Sequence, residues 1–571
     1  MDIRRSTIFA ATLYLWGCGQ PAHDPSGLGL AVSFPQGRSA APLDGRLLLI
    51  LARDGSSEPR FQISAGPRGQ QIFGIDVHDL EPGVEATIDA TAFGFPLASL
   101  DHVPQGTYWV QALLNRYERF QRSDGHTLEL PPDRGEGQEW NRKPGNLYST
   151  PRRVLVDPSA GGVIHLSMDQ VIPPLPEEDE TKYVKHVSIQ SELLTAFWGT
   201  PVTIEATVLL PEGWADHPDA RYPLMVYQAP RHRGGGSTLG FRETPPTAAE
   251  KLDGPGLAFA QAGHALYREW TGPDFPRFIL VAIQDANPYS GDSYAVNSAN
   301  LGPYGDALTY ELVPHIESRF RGIGAGWARA LHGEARGGWE SLALQLFYPD
   351  EYNGAWALCP DPVDFSDLGV AEFDADGNAY YQDRDRKRTL RPGTTDSLGN
   401  VTATLEEQNH FELALASHGR SGGQWDVWQA VFGPVGPDGY PAPVWDKYTG
   451  EIHPEVAQYW RDNYDLPHLL ERDWPRLRPR LGGKLHIYVG AAEGQDPHDA
   501  FHLAEEFLKD AGNPHDVGTV ERTGLAWSCG STENQVTQAI RPALDRQMAS
   551  LMLGRVLDSA PPGVDLVSWR Y

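Results

Sequence analysis

The residues whose types and spacing come closest to covalent chemistry lie between 328 and 339. A short apolar run, Ala328 to His332, is followed by Gly333, Glu334, Ala335, Arg336, Gly337 and Gly338, and then by a helical pattern beginning at Trp339. A Gly-x-Ser-x-Gly string between a buried strand and a helix lifts a serine hydroxyl onto a sharp turn, from which it can attack an acyl carbon. The glycines have a physical role, because the turn is strained and strand and helix approach too closely for β-carbons on its neighbours. Every part of that string is present except its centre, where Ala335 offers a methyl group in place of a nucleophile.

An oxyanion in such a site is held by two backbone donors. One would be the N–H of Arg336. The other belongs in the loop Ala229 to Gly236, which contains Gly234 and Gly235 and follows the apolar run Leu224 to Gln228. That loop reads equally well as a plain glycine-rich connection. Losing the serine of a catalytic triad costs roughly 10⁶-fold in turnover, about 8 kcal/mol of barrier. Ordinary serine-esterase activity is therefore not expected, and a working hydrolase would need another nucleophile, such as Ser341, Ser528 or Cys529.

Three other constellations compete. Gly419, Arg420, Ser421, Gly422 and Gly423 repeat the string with His418 beside it, but they follow a helical pattern, Leu405 to Ala416, and read as a glycine turn at a helix end. His498, Asp499 and His502 have a spacing that could bring two imidazoles to one helix face. They lack the His-Glu-x-x-His order and a third ligand, so exposed polar residues are expected. Asp374, Asp376, Gly377 and Asn378 begin like a calcium loop without the glutamate that closes one. No metal and no cofactor is expected.

The elements that must position the turn change character along the chain. From about Gly27 to Val171 apolar residues come in short runs between turn residues, including Leu47 to Leu51, Thr107 to Leu113, Val154 to Val156 and Val163 to Leu166. This pattern predicts an all-β sandwich over 18–172. Pro173, Pro174 and Pro176 with the acidic stretch from Glu177 to Glu180 predict a linker over 173–182. Buried runs then alternate with helical segments: Phe278 to Ile283, Asp306 to Arg319, Ala328 to His332, Trp339 to Phe347, Ala355 to Cys359, Leu485 to Val489 and Val517 to Thr523. The alternation predicts an α/β domain over 183–571 with a mostly parallel sheet. A Gly-, Pro- and aromatic-rich insert at about 361–480 is expected to cap a pocket at the C-terminal edge of that sheet. Its rings include Tyr380, Tyr381, Trp425, Trp428, Tyr440, Trp445, Tyr448, Tyr459, Trp460 and Trp474. Most should form the insert's core, with two or three facing a small ester, sugar or aromatic ligand.

An ordered set of motifs gives the domain a family likeness: Gly302-Pro303-Tyr304-Gly305-Asp306, Gly337-Gly338-Trp339-Glu340-Ser341-Leu342, Cys359-Pro360-Asp361-Pro362-Val363-Asp364-Phe365 and the C-terminal Ser568-Trp569-Arg570-Tyr571. In these, Tyr183 to Tyr571 resembles secreted or lipid-anchored esterases related to esterase D, on the α/β-hydrolase fold. The resemblance implies a Ser, Asp and His triad. Its acid would fall just past Leu485 to Val489, where Glu493 stands, with Asp496 and Asp499 as alternatives and a solvated loop carboxylate as the plainer account. Its histidine would fall in the loop after Val517 to Thr523. That loop reads Gly524 to Gly530 without a histidine, and His515 stands before the strand. Two of the triad's three parts are missing, which points to natural degeneration rather than a single substitution.

The charge of −28 makes phosphate backbones and anionic lipid improbable partners, and no nucleic acid is expected. Residues 1–17 read as an export signal, with Arg4 and Arg5 before the apolar stretch Ile8 to Trp16. Leu15-Trp16-Gly17-Cys18 resembles a lipoprotein cleavage box, which would acylate Cys18 and attach the protein to a membrane through lipid alone. A periplasmic, cell-surface or secreted location follows as the expectation. Cys359 and Cys529 are then left either to pair or to remain separate buried thiols.

Overall fold

The computed structural model describes residues 27–66, 69–176, 179–228, 240–252, 254–365, 377–384, 387–395, 400–490, 518–523 and 535–571. Among them, eight strands form one sheet in the order Val184–Ser191, Val202–Leu209, Ile279–Gln284, Leu224–Gln228, Arg329–Glu334, Ala355–Leu358, Leu485–Gly490 and Gly518–Thr523. The second strand runs antiparallel to both neighbours, and the remaining pairs are parallel. With the second pair of crossovers exchanging the third and fourth strands in space, this is the α/β-hydrolase order. The central strands consist of buried residues throughout, as in Ile279–Gln284, because helices cover a parallel sheet on both faces.

The helix expected from Asp306 begins earlier, at Tyr304, and passes through a π-helical turn, Leu308–Leu312, before continuing as Val313–Phe320. The wider turn lets Glu311 accept the N–H groups of Glu192 and Leu193, both at 3.1 Å, at the start of the helix Glu192–Trp198.

The N-terminal region is β-rich, with a three-stranded sheet and a seven-stranded sheet sharing one apolar core that includes Leu30, Val32, Leu47, Leu49, Val110 and Leu166. The run Leu47 to Leu51 lies in the strand Leu43–Ala52 and is buried at every residue. A two-layer sandwich alone would leave alternate positions wet. The opposite face, carrying Leu48, Ile50 and Leu113, is instead covered by Ala414, Leu415 and Phe411 of the insert helix Leu405–Leu415. The insert thus differs from a simple lid, since one of its helices forms the third layer of the N-terminal region. Its helices Gln424–Phe432 and Pro454–Tyr464 pack toward the main sheet, where Trp428, Phe432 and Trp460 join the core with Trp339 and Phe365. Most of the insert's rings are core, as expected, whereas Tyr448 is exposed. No helix among the described residues is long and apolar enough to cross a membrane.

Candidate functional site at the strand-to-helix turn

The strand Arg329–Glu334 leads through Ala335 into the helix Arg336–Phe347. Ala335 has φ 52° and ψ −117°, a conformation that a side chain disfavours. Its backbone is pinned there: its N–H donates to Leu358 O at 2.9 Å, and its carbonyl accepts from Trp339 N at 3.1 Å and Asp361 N at 3.0 Å. A β-carbon on Gly333 would lie 2.1 Å from Gly337 O, and one on Gly337 would lie 2.1 Å from Gln228 O. Both glycines are therefore obligatory by contact rather than by dihedral angle. The turn has the full geometry of a nucleophile elbow with a methyl group at its apex.

The surroundings of Ala335 come from three segments. Arg336 reaches into the 287–294 turn, where its Nη1 pairs with Asp292 Oδ2 at 2.8 Å and its guanidinium lies over the Tyr294 ring at 5.4 Å. Asp292 is fixed in turn by Tyr294 N, which donates to its Oδ1 at 2.7 Å. Ser293 bonds Asp285 through both its N–H and its hydroxyl. The Tyr294 hydroxyl donates to Asp361 Oδ2 at 3.2 Å and accepts from Gln424 Nε2 and Trp428 Nε1 of the insert. Glu340, one turn into the helix, is almost fully buried. Burial, and then the carboxylates of Asp292 and Asp285, push its carboxyl well above the usual carboxylate range. Burial also raises Asp361, against the pull of Arg336.

Left-handed backbone at residues other than glycine collects here, at Tyr294, Ala295, Ala335 and Cys359. Such strain persists only where surrounding structure enforces it, and it clusters at functional sites.

The structure separates the residues singled out from sequence. Ala335 and Arg336 stand at the turn between strand and helix. Ser341 is excluded as a replacement nucleophile, because it is fully buried and its hydroxyl donates to Gly337 O at 2.8 Å, four residues back in its own helix. Ser421 accepts from Gly423 N at 3.0 Å ahead of the helix Gln424–Phe432, a structural part at a helix start. His418 is exposed and paired with Asp438 at 3.2 Å. Cys359 is disulfide-bonded, and its partner lies outside the described residues. So do Cys18, Gly234, Gly235, Glu493, Asp496, His498, Asp499, His502, His515, Ser528, Cys529 and the calcium-like Asp374 and Asp376. Sequence reasoning did not assign a role to Asp292, Tyr294, Glu340 or Asp361. Glu340 and Asp361 do fall within the motifs quoted above; Asp292 and Tyr294 sit in a turn with no spacing signal.

Two histidines near the sheet are engaged elsewhere. His332 bonds Trp356 O at 3.0 Å. His486 bonds Gly483 O at 3.2 Å and stacks on Trp356, and burial pulls its pKa down to about 4.

Residues 284–448 match the family model described as "Putative esterase". No curated protein matches the sequence. Among solved structures, a ferulic acid esterase aligns at 13% identity and TM-score 0.34 over 66% of this chain and 98% of its own. An S-formylglutathione hydrolase from Agrobacterium tumefaciens aligns at 13% and 0.32 over 66% and 98%. Brefeldin A esterase, a bacterial homologue of human hormone-sensitive lipase, aligns at 12% and 0.32 over 67% and 80%. Likenesses this low say nothing about substrate, and the fold rests on the strand order and the elbow. The eight-stranded region of this chain has the α/β-hydrolase fold, and residues 284–448 are similar to the esterase family.

Proposed function

We propose that this chain is an exported, esterase-like binding protein that lacks serine-hydrolase activity. The observation that carries this reading is Ala335 itself: the elbow is held in its strained form by obligatory glycines, yet its apex is a methyl group. The loop Gly524 to Gly530, where the family's histidine belongs, adds a second missing part. The burial of Ser341 removes one substitute nucleophile. The retained turn, with Arg336 and Asp292 beside it, suits holding a small ester, sugar or aromatic ligand rather than cleaving one. Export and lipid attachment are supported by Arg4, Arg5, the apolar stretch to Trp16 and Cys18.

The test is turnover of p-nitrophenyl acetate by the purified chain and by Ala335→Ser. Neither should exceed a heat-inactivated control by more than the roughly 10³ to 10⁴-fold over water that binding and oxyanion donors alone retain. Full turnover by the unaltered chain would refute the proposal. Revival by Ala335→Ser alone would show that a base survives and that only the nucleophile was lost.

A further inference from the structure

The insert meets the N-terminal sheet through more than apolar contact. In the strand Gln71–Leu80, Asp76 accepts hydrogen bonds from both sides of the boundary. Arg46 and Tyr117 of the N-terminal region donate to its Oδ1, each at 3.3 Å, and Ser417 and Arg420 of the insert donate to its Oδ2. Arg420 is buried, and its Nη1 donates to Glu129 O at 2.8 Å. The Tyr440 hydroxyl accepts the Glu129 N–H at 3.1 Å, and Arg122 donates to Gly439 O at 2.9 Å. The layers also touch backbone to backbone, since a β-carbon on Gly74 would lie 2.2 Å from Ala414 O.

These ties pass directly to the helix Gln424–Phe432. Glu412, in the last turn of the helix Leu405–Leu415, accepts the N–H groups of Trp425 and Asp426 at 3.0 and 3.1 Å, so the first helix satisfies the open start of the second. Asp426 in turn accepts Ser421 N at 3.0 Å, one residue past Arg420. The buried Lys447 pairs with both Glu412 and Asp426. The start of this helix is therefore fixed by residues that are themselves fixed on the N-terminal sheet.

The same helix reaches the elbow. Gln424 Nε2 and Trp428 Nε1 donate to the Tyr294 hydroxyl, which donates to Asp361, and the Asp361 N–H holds the Ala335 carbonyl. Each step from Asp76 to Ala335 is a hydrogen bond or a few residues of one chain segment, and coupling travels through contiguous contacts of this kind. A lid that swings needs few buried contacts on its moving face. Swinging this insert would take Arg420 and Ser417 from the recessed Asp76 carboxylate and would bare Leu48, Ile50 and Leu113 of the sheet.

We propose that the N-terminal region is a clamp: through Asp76 and the sheet beneath Leu405–Leu415 it holds the helix Gln424–Phe432, and with it Tyr294, against the elbow, so the insert is a fixed wall rather than a moving lid. The clamp acts whether or not Ala335 is catalytically silent. The test is hydrogen–deuterium exchange of the full chain at neutral pH, read by mass spectrometry, with Asp76→Ala, Ser417→Ala and Val32→Ala beside the unaltered chain. Val32 lies in the other apolar layer, on the strand Leu28–Ser33, and controls for a general loss of stability. Asp76→Ala should speed exchange of the amides in 425–432 and 289–295 by about tenfold, and Ser417→Ala by about threefold. Val32→Ala should speed exchange in Leu28–Ser33 while leaving those two segments within about twofold of the unaltered chain. If Asp76→Ala does not fold, Ser417→Ala decides alone. Unchanged exchange in either segment, or an equal rise in Val32→Ala, overturns the proposal.

Discussion

Two stretches of this chain carry nearly the same five-residue string, and the fold gives them opposite fates. At 333–337 the string joins a buried parallel strand to a helix, and the glycines are compelled by backbone contacts at 2.1 Å, but its centre is alanine. At 419–423 the centre is a serine, but the string follows the helix Leu405–Leu415, and Arg420 serves to join two regions. Arg420 pairs with Asp76 at 2.9 Å, donates to Glu129 O at 2.8 Å and lies over the Tyr117 ring at 4.3 Å. Asp76 also pairs with Arg46, whose guanidinium reaches Leu413 O and Ala414 O. Chemistry belongs to the strand-to-helix context; the residue pattern by itself gives only a turn.

The largest expected effect is at the second string. Arg420→Ala breaks a buried ion pair and should cost about 4 kcal/mol of stability in urea denaturation, although Arg46 still faces Asp76. A loss under about 1 kcal/mol would mean the contact between the regions is incidental. Gly337→Ala at the elbow should cost about 3 kcal/mol, because backbone must move to admit the new β-carbon. Gly422→Ala should cost only about 1 kcal/mol, since the nearest atom at 2.6 Å is the end of the flexible Gln138 side chain, and the penalty is mainly its φ of 73°. Equal costs for the two glycines would erase the distinction between them. Ala335→Gly should be stabilising by about 1 kcal/mol through relief of a disfavoured dihedral.

A smaller effect reports on the insert that covers the elbow helix. Asp465 accepts the N–H of Phe365 at 2.6 Å, next to the ring stacked on Trp339. Burial raises its pKa to about 7, with the nearby Asp364 adding to the shift. A carboxyl held more tightly protonated in the folded chain contributes stability fully present below about 4, which is lost as pH rises through about 7. The melting temperature of the unaltered chain should therefore fall by a few degrees relative to Asp465→Asn between pH 4 and 7. A flat difference would mean that the carboxylate is paired rather than simply desolvated.

Much of the architecture was legible because it rests on local periodicity. Buried runs such as Phe278 to Ile283 and the glycines at 333 and 337 each carry their own reason, and the structure places strand, turn and helix there. The partner of an apolar face is not a local property. Nothing in Leu405 to Ala416 says that this helix covers the N-terminal sheet, and the run Leu47 to Leu51, read as part of a two-layer sandwich, is buried on both faces only because that helix covers it. The pair between Asp292 and Arg336 joins residues 44 positions apart through a turn, and only the fold brings them together.

The most direct test of the elbow's silence is intact-mass analysis after exposure to a fluorophosphonate probe, which phosphonylates an activated serine. No adduct is expected on the unaltered chain at probe concentrations that label a working esterase completely. A stoichiometric adduct mapped to any serine beside the elbow would contradict it.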